Sequence, residues 1–98
     1  MKDVQQKTLT AGTEETFTMQ LKRSKFLVKN FTSGDITVKL GNNDSSSTIG
    51  AGMFEIVFNN IEDTKTGTAE ATNVVKVTAS QAGNVEVASV DFLRRDKI

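Results

Sequence analysis

Apolar and polar residues swap places at nearly every position through several short runs of this chain, a period-two pattern that marks half-buried β-strands. In Thr16–Leu21, Phe17, Met19 and Leu21 share one face, and Thr16, Thr18 and Gln20 share the other. Phe26 and Val28 point one way, Leu27 and Lys29 the other. Ile36, Val38 and Leu40 alternate with Asp35, Thr37 and Lys39. Phe54, Ile56 and Phe58 lie opposite Glu55 and Val57, and the former trio is the expected apolar face. Val75, Val77 and Ala79 form one inward set, Val85 and Val87 another. Beyond Ala88 the phase changes, because Val90 and Phe92 have the opposite parity from Val85 and Val87. Either a bulge near Ala88-Ser89 restores the phase, or these two residues face something outside the core.

The gaps carry the turn chemistry. Every glycine falls where alternation stops, and proline is absent, so glycine alone punctuates the chain. Ser33-Gly34 predicts a tight hairpin between the strands on either side. Ile49 predicts a core plug just before a corner at Gly50-Ala51-Gly52. Gly41–Ser47 reads as a polar loop, and Asn59–Asn73 as a long one of the kind that is usually functional or disordered. The pattern predicts an all-β fold: a small antiparallel β-sandwich of about seven or eight strands, Ig-like or jelly-roll-like. Residues 1–7 are expected to be a flexible arm, 8–93 a single sandwich domain, and 94–98 a charged tail.

Composition narrows the chemistry. The 98 residues suit one domain. There is no cysteine and no histidine, so disulfides, thiolate metal sites, nucleophile–histidine pairs and histidine zinc sites within the chain are excluded. Twelve basic and twelve acidic side chains cancel, which removes the bulk electrostatic case for nucleic acid or an anionic membrane. The polar start, Met1–Gln6, lacks the apolar stretch of a secretory signal. No catalytic residue, cofactor or metal is expected.

Each candidate site has a plainer alternative. The basic turn Lys22, Arg23, Lys25, with Lys29 nearby, suits an anion or an acidic partner, but it reads better as a solvated turn that keeps an edge soluble. Asn42, Asn43 and Asp44 offer oxygens to calcium, yet one carboxylate with two amides fits a turn-forming cluster better. Glu62-Asp63 has the same weakness. Glu55 and Glu86 alternate outward, which sets them apart from the paired carboxylates of a glycosidase. The chain has no Trp or Tyr to make a sugar platform. Asn30-Phe31-Thr32 and Asn43-Asp44-Ser45 match the glycosylation pattern and are taken as chance matches.

The string Lys25-Phe26-Leu27-Val28-Lys29-Asn30-Phe31-Thr32-Ser33-Gly34-Asp35-Ile36-Thr37-Val38 resembles a hairpin pattern of small tailed-phage and prophage structural proteins. The resemblance continues through the Ile49-Gly50-Ala51-Gly52 corner and a late hairpin, Val75–Ala79 through Gly83–Val87, covering about residues 25–92. It implies a non-enzymatic β-sandwich that coats or decorates a virion. Such a protein would assemble in the bacterial host cytoplasm and then reside in the virion, with virion proteins or further copies of itself as partners and neither nucleic acid nor membrane. A ligand-binding module of the carbohydrate or adhesin type is the alternative, with its site on the 41–48 and 59–73 loops. For the first reading the expected interface residues are Leu27, Phe31, Val57, Val90 and Phe92, each apolar and off the expected core face or in a loop.

Overall fold

A computed structural model describes residues 3–42, 45–58 and 71–90. Among these the chain forms eight strands and no helix: β1 (Val4–Leu9), β2 (Glu14–Arg23), β3 (Lys25–Asn30), β4 (Ile36–Leu40), β5 (Ser46–Ile49), β6 (Phe54–Phe58), β7 (Thr72–Ala79) and β8 (Gly83–Ser89). They make two four-stranded antiparallel sheets, ordered β1-β8-β3-β6 and β2-β7-β4-β5. This order is that of an eight-stranded jelly roll, which separates the two architectures the alternation left open.

The alternation sets the core. Phe26, Val28, Val85 and Val87 project from the first sheet; Phe17, Ile36, Val38, Val75 and Val77 project from the second; all are buried. The two sheets bury these inner faces against one another. Ile49 is buried as expected.

Three expectations change. Residues 4–7 are not a loose arm: they belong to β1, which pairs with β8 from Val4↔Ala88 to Leu9↔Gly83. The two expected hairpins, at Ser33-Gly34 and at Gln81–Asn84, are crossings between sheets, because β3 and β8 belong to one sheet and β4 and β7 to the other. Among consecutive strands only β4 and β5 pair, so part of the expected 41–47 loop is strand β5. The long loop lies outside the described residues up to position 70, and β7 begins at Thr72.

Buried polar groups hold these crossings. Asn30 is 1% exposed and Thr32 5%. The Asn30 side-chain amide donates to the carbonyls of Gly34, Ile49 and Gly50 at 2.8, 3.0 and 3.0 Å. Its Oδ1 accepts from the Thr32 N–H at 2.9 Å and the Thr32 hydroxyl at 2.7 Å. One side chain therefore ties the end of β3 to the turn that leaves it and to the corner after β5. In the folded protein the Asn30 amide is thus fully engaged and shielded from solvent.

A second set of polar groups closes the β1/β2 side. Inward-parity residues of β1 reach across to β2: Gln5 Nε2 donates to the Thr18 carbonyl, and Lys7 Nζ to the Thr16 carbonyl at 2.8 Å. The β2–β7 register shifts between Thr18 and Arg23, and there two successive amides turn to Asp3. Gln20 and Leu21 donate to its carboxylate at 3.1 and 2.9 Å, and the Ser89 hydroxyl donates at 2.7 Å. Leu21, expected inward with Phe17 and Met19, is only half-buried within this irregular stretch. Burial alone would raise the Asp3 pKa; the Ser89 hydroxyl, the two amides and the Arg23 charge outweigh it and hold the carboxyl below its ordinary value.

Candidate interaction surface

The register of the first sheet fixes what its outer face displays. Val4 lies beside Ala88, Ala88 beside Leu27, and Leu27 beside Ile56, so one apolar row crosses all four strands. On one side of this row Phe54 pairs with Lys29, and on the other Phe58 pairs with Lys25. The Lys25 ammonium sits 5.5 Å from the centre of the Phe58 ring, within cation–π range. Lys29 and Glu86 form an ion pair at 3.6 Å.

These apolar side chains are accessible. Phe54 is 69% exposed, Phe58 59% and Val4 45%; Met53 and Phe31, at 61% and 56%, stand where β6 begins and β3 ends. The backbone ties the start of β6 to the end of β3, since the Asn30 N–H donates to the Met53 carbonyl, while the Phe31 N–H is held on the β8 side by the Asn84 carbonyl.

The outer face of the second sheet is chemically opposite. Its rows run Glu14, Thr78, Thr37, Thr48 and then Thr16, Lys76, Lys39, Ser46. Both sheets cover the same core, so core packing does not account for the difference. Scattered exposed apolar residues are ordinary; a contiguous set on one face marks a contact site.

The expected interface residues divide. Leu27 lies in the apolar row and is half-buried, Phe31 is exposed at the end of the face, and Val90 is half-buried. The β8 register runs unbroken to Ser89, and the Val90 N–H continues it by donating to the Lys25 carbonyl. No bulge intervenes, so Val90 keeps the outward parity of Ala88. Val57 is a correction: at 3% exposure it is core, because β6 presents Val57 rather than Phe54, Ile56 and Phe58 to the interior. Phe92 lies outside the described residues. Met53, Phe54, Phe58 and Val4 were missed. A signal for them existed in β3, where Leu27 sits between two lysines: that face is the solvent face, and β6 pairs beside it.

The other candidates stay apart. Lys22, Arg23, Lys25 and Lys29 do not converge: Arg23 Nη1 donates to the Lys22 carbonyl, and Lys25 and Lys29 belong to the outer face just described. Glu55 is exposed, and Glu86 is tied to Lys29. Asn43, Asp44, Glu62 and Asp63 lie outside the described residues. Among the described residues no three of His, Cys, Asp and Glu gather as metal ligands. A recess of about 410 Å³ is lined by Lys22, Gly41, Asn42, Ala71, Thr72, Asn73, Val74 and Lys76. It holds ammonium and amide groups but no aromatic ring among these residues, and the Asn73 amide already donates to the Met19 carbonyl. Set against protein-family models, curated proteins and solved structures, the chain matches none.

Proposed function

We propose that this protein is a non-catalytic structural module that works through protein–protein contacts made by the outer face of the β1-β8-β3-β6 sheet. The observation that carries this reading is the contrast between the two outer faces. One has the row Val4, Ala88, Leu27, Ile56 flanked by Phe54 and Phe58; the other has threonine, serine, lysine and glutamate at the equivalent level. An apolar centre with a charged rim of Lys25, Lys29 and Glu86 has the composition of a protein interface.

The setting we propose is a virion accessory, on the resemblance carried by the Lys25–Val38 string. The jelly roll, an architecture used by capsid and lectin domains, is compatible with it. Architecture does not dictate function, so the contact reading rests on the face and the setting on the resemblance.

The test is site-specific photocross-linking in the producing cell. A benzophenone side chain replaces Phe54 or Phe58 in one pair of variants, and Thr37 or Thr18 on the opposite sheet in a control pair. Cross-links from positions 54 and 58 to one defined protein, with none from 37 and 18, are expected. Equal yields from both faces, or none from either, would refute the assignment.

A further inference from the structure

The edge of the same sheet specifies a partner, an inference that rests on the contact reading above. The Asn30 N–H bonds to the Met53 carbonyl. With the register Lys25↔Phe58 to Lys29↔Phe54, the backbone bonds between β3 and β6 fall at residues 26, 28 and 30 of β3 and 57, 55 and 53 of β6. In an antiparallel ladder the intervening residues direct their N–H and C=O groups the other way. The amides and carbonyls of Phe54, Ile56 and Phe58 therefore face the open edge, and among the described residues they have no backbone partner.

Edges of this kind are usually blunted by lysine, proline, a bulge or a covering segment. The β1/β2 side is covered by the side chains of Asp3, Gln5 and Lys7. Strand β5 is short and polar, Ser-Ser-Thr-Ile. Strand β6 reads Phe-Glu-Ile-Val-Phe, with one charge and neither lysine nor proline.

We propose that β6 pairs antiparallel with β6 of a second copy, on a two-fold axis through Ile56. The sequence is self-complementary about that residue. Ile56 meets Ile56 of the second copy, and Phe54 meets the other copy's Phe58, so every edge-facing N–H of these residues finds a carbonyl. Glu55 falls opposite Val57 rather than opposite another Glu55, so no like charges oppose one another. The apolar row continues from one sheet into the next, and the two Phe54–Phe58 pairs are aromatic cross-strand pairs, a favourable kind.

Phe54 and Phe58, at 69 and 59% exposure, each gain an aromatic neighbour across the new seam, while the edge-facing N–H and C=O groups of residues 54, 56 and 58 are all paired.

Sedimentation equilibrium over a wide concentration range tests the pairing. The wild type is expected to show a reversible monomer–dimer equilibrium. Ile56→Lys and Ile56→Glu each place two like charges on the axis and are expected to weaken the dimer by roughly 100-fold or more. An equimolar mixture of the two is expected to recover a heterodimer, which neither variant could do if its monomer had failed to fold. Thr48→Lys, on the polar edge β5, is expected to leave the dimer intact. A wild type that stays monomeric, a dimer indifferent to Ile56→Lys, or a mixture that does not recover association would each overturn the proposal. If self-pairing fails while cross-linking from positions 54 and 58 still captures a different protein, the contact reading stands and only the choice of partner falls.

Discussion

Replacing Asn30 by alanine removes a side chain that ties the end of β3 to both the following turn and the β5 corner. Some of the loss is recoverable. The Thr32 hydroxyl already donates to the Gly34 carbonyl at 2.8 Å, and the Gly50 carbonyl lies nearer the surface. The Ile49 carbonyl keeps the Ile36 N–H of the β4–β5 ladder, so the buried Thr32 N–H, which loses its bond to Oδ1, carries most of the cost. A buried polar group left unmade costs about 1–3 kcal/mol, so Asn30→Ala is expected to cost roughly 2 kcal/mol. For a domain of this size that lowers the thermal midpoint by about 8–16 °C. The chain lacks Trp and Tyr, so unfolding in urea is best followed by far-UV circular dichroism. Asn30→Asp sharpens the test, since it sets a carboxylate against three carbonyl oxygens in place of an amide donor. Its charged form is disfavoured, so the folded pKa lies above the unfolded value of about 3.9. The penalty is then complete above the folded pKa and fades as pH falls through it, when a protonated carboxyl can again donate. Asn30→Asp is thus expected to be worse than Asn30→Ala at neutral pH and to recover relative to wild type in acid. A cost below about 1 kcal/mol for Asn30→Ala, or an Asn30→Asp penalty independent of pH, would refute the role given to this network.

Asp3 predicts the opposite pH behaviour. Its pKa is lowered on folding, so its contribution is present above the unfolded value and lost as pH falls through the folded one. Asp3→Asn should cost about 2 kcal/mol near neutrality, with the urea midpoints of the two proteins drawing together as the pH falls through the lowered folded pKa. Gly83, at φ +155°, approaches the Thr32 backbone so closely that a Cβ would lie 2.9 Å from its Cα, whereas a Cβ on Gly12, at φ +78°, would meet nothing within 4 Å. Gly83→Ala should therefore cost well over 2 kcal/mol and Gly12→Ala about 1 kcal/mol; equal thermal shifts would contradict the crossing geometry. Val57→Lys should abolish cooperative unfolding by burying an unpaired charge, while Phe54→Lys should change monomer stability by less than about 0.5 kcal/mol. The reverse order would mean that β6 faces the other way.

Alternation along the chain was enough to place most of the strands and the fold class, because burial on one side of a sheet imposes a period of two whatever the sheet pairs with. Phe17, Phe26, Ile36, Val38, Val75 and Val87 all point inward as their parity requires. Parity does not say which of two faces is inward when both carry apolar residues. In β6 the bulkier trio looked like core, yet the structure buries Val57, because the pairing of β6 with β3 puts Phe54, Ile56 and Phe58 level with Lys29, Leu27 and Lys25. Nor does parity name a strand's partner. Ser33-Gly34 and Gln81–Asn84 have hairpin chemistry, but the chain crosses between sheets at both, held by long-range bonds such as Asn30 to Ile49 and the close approach of Gly83 to Thr32. The N-terminal strand was hidden for the same reason: Gln5, Gln6 and Lys7 are poor strand formers. They are held as strand by a ladder to β8 and by bonds to β2. Local pattern decides what a segment is. Which segments meet, and so which apolar residues are left facing outward, is decided by pairings between residues far apart in the chain, which no local pattern records.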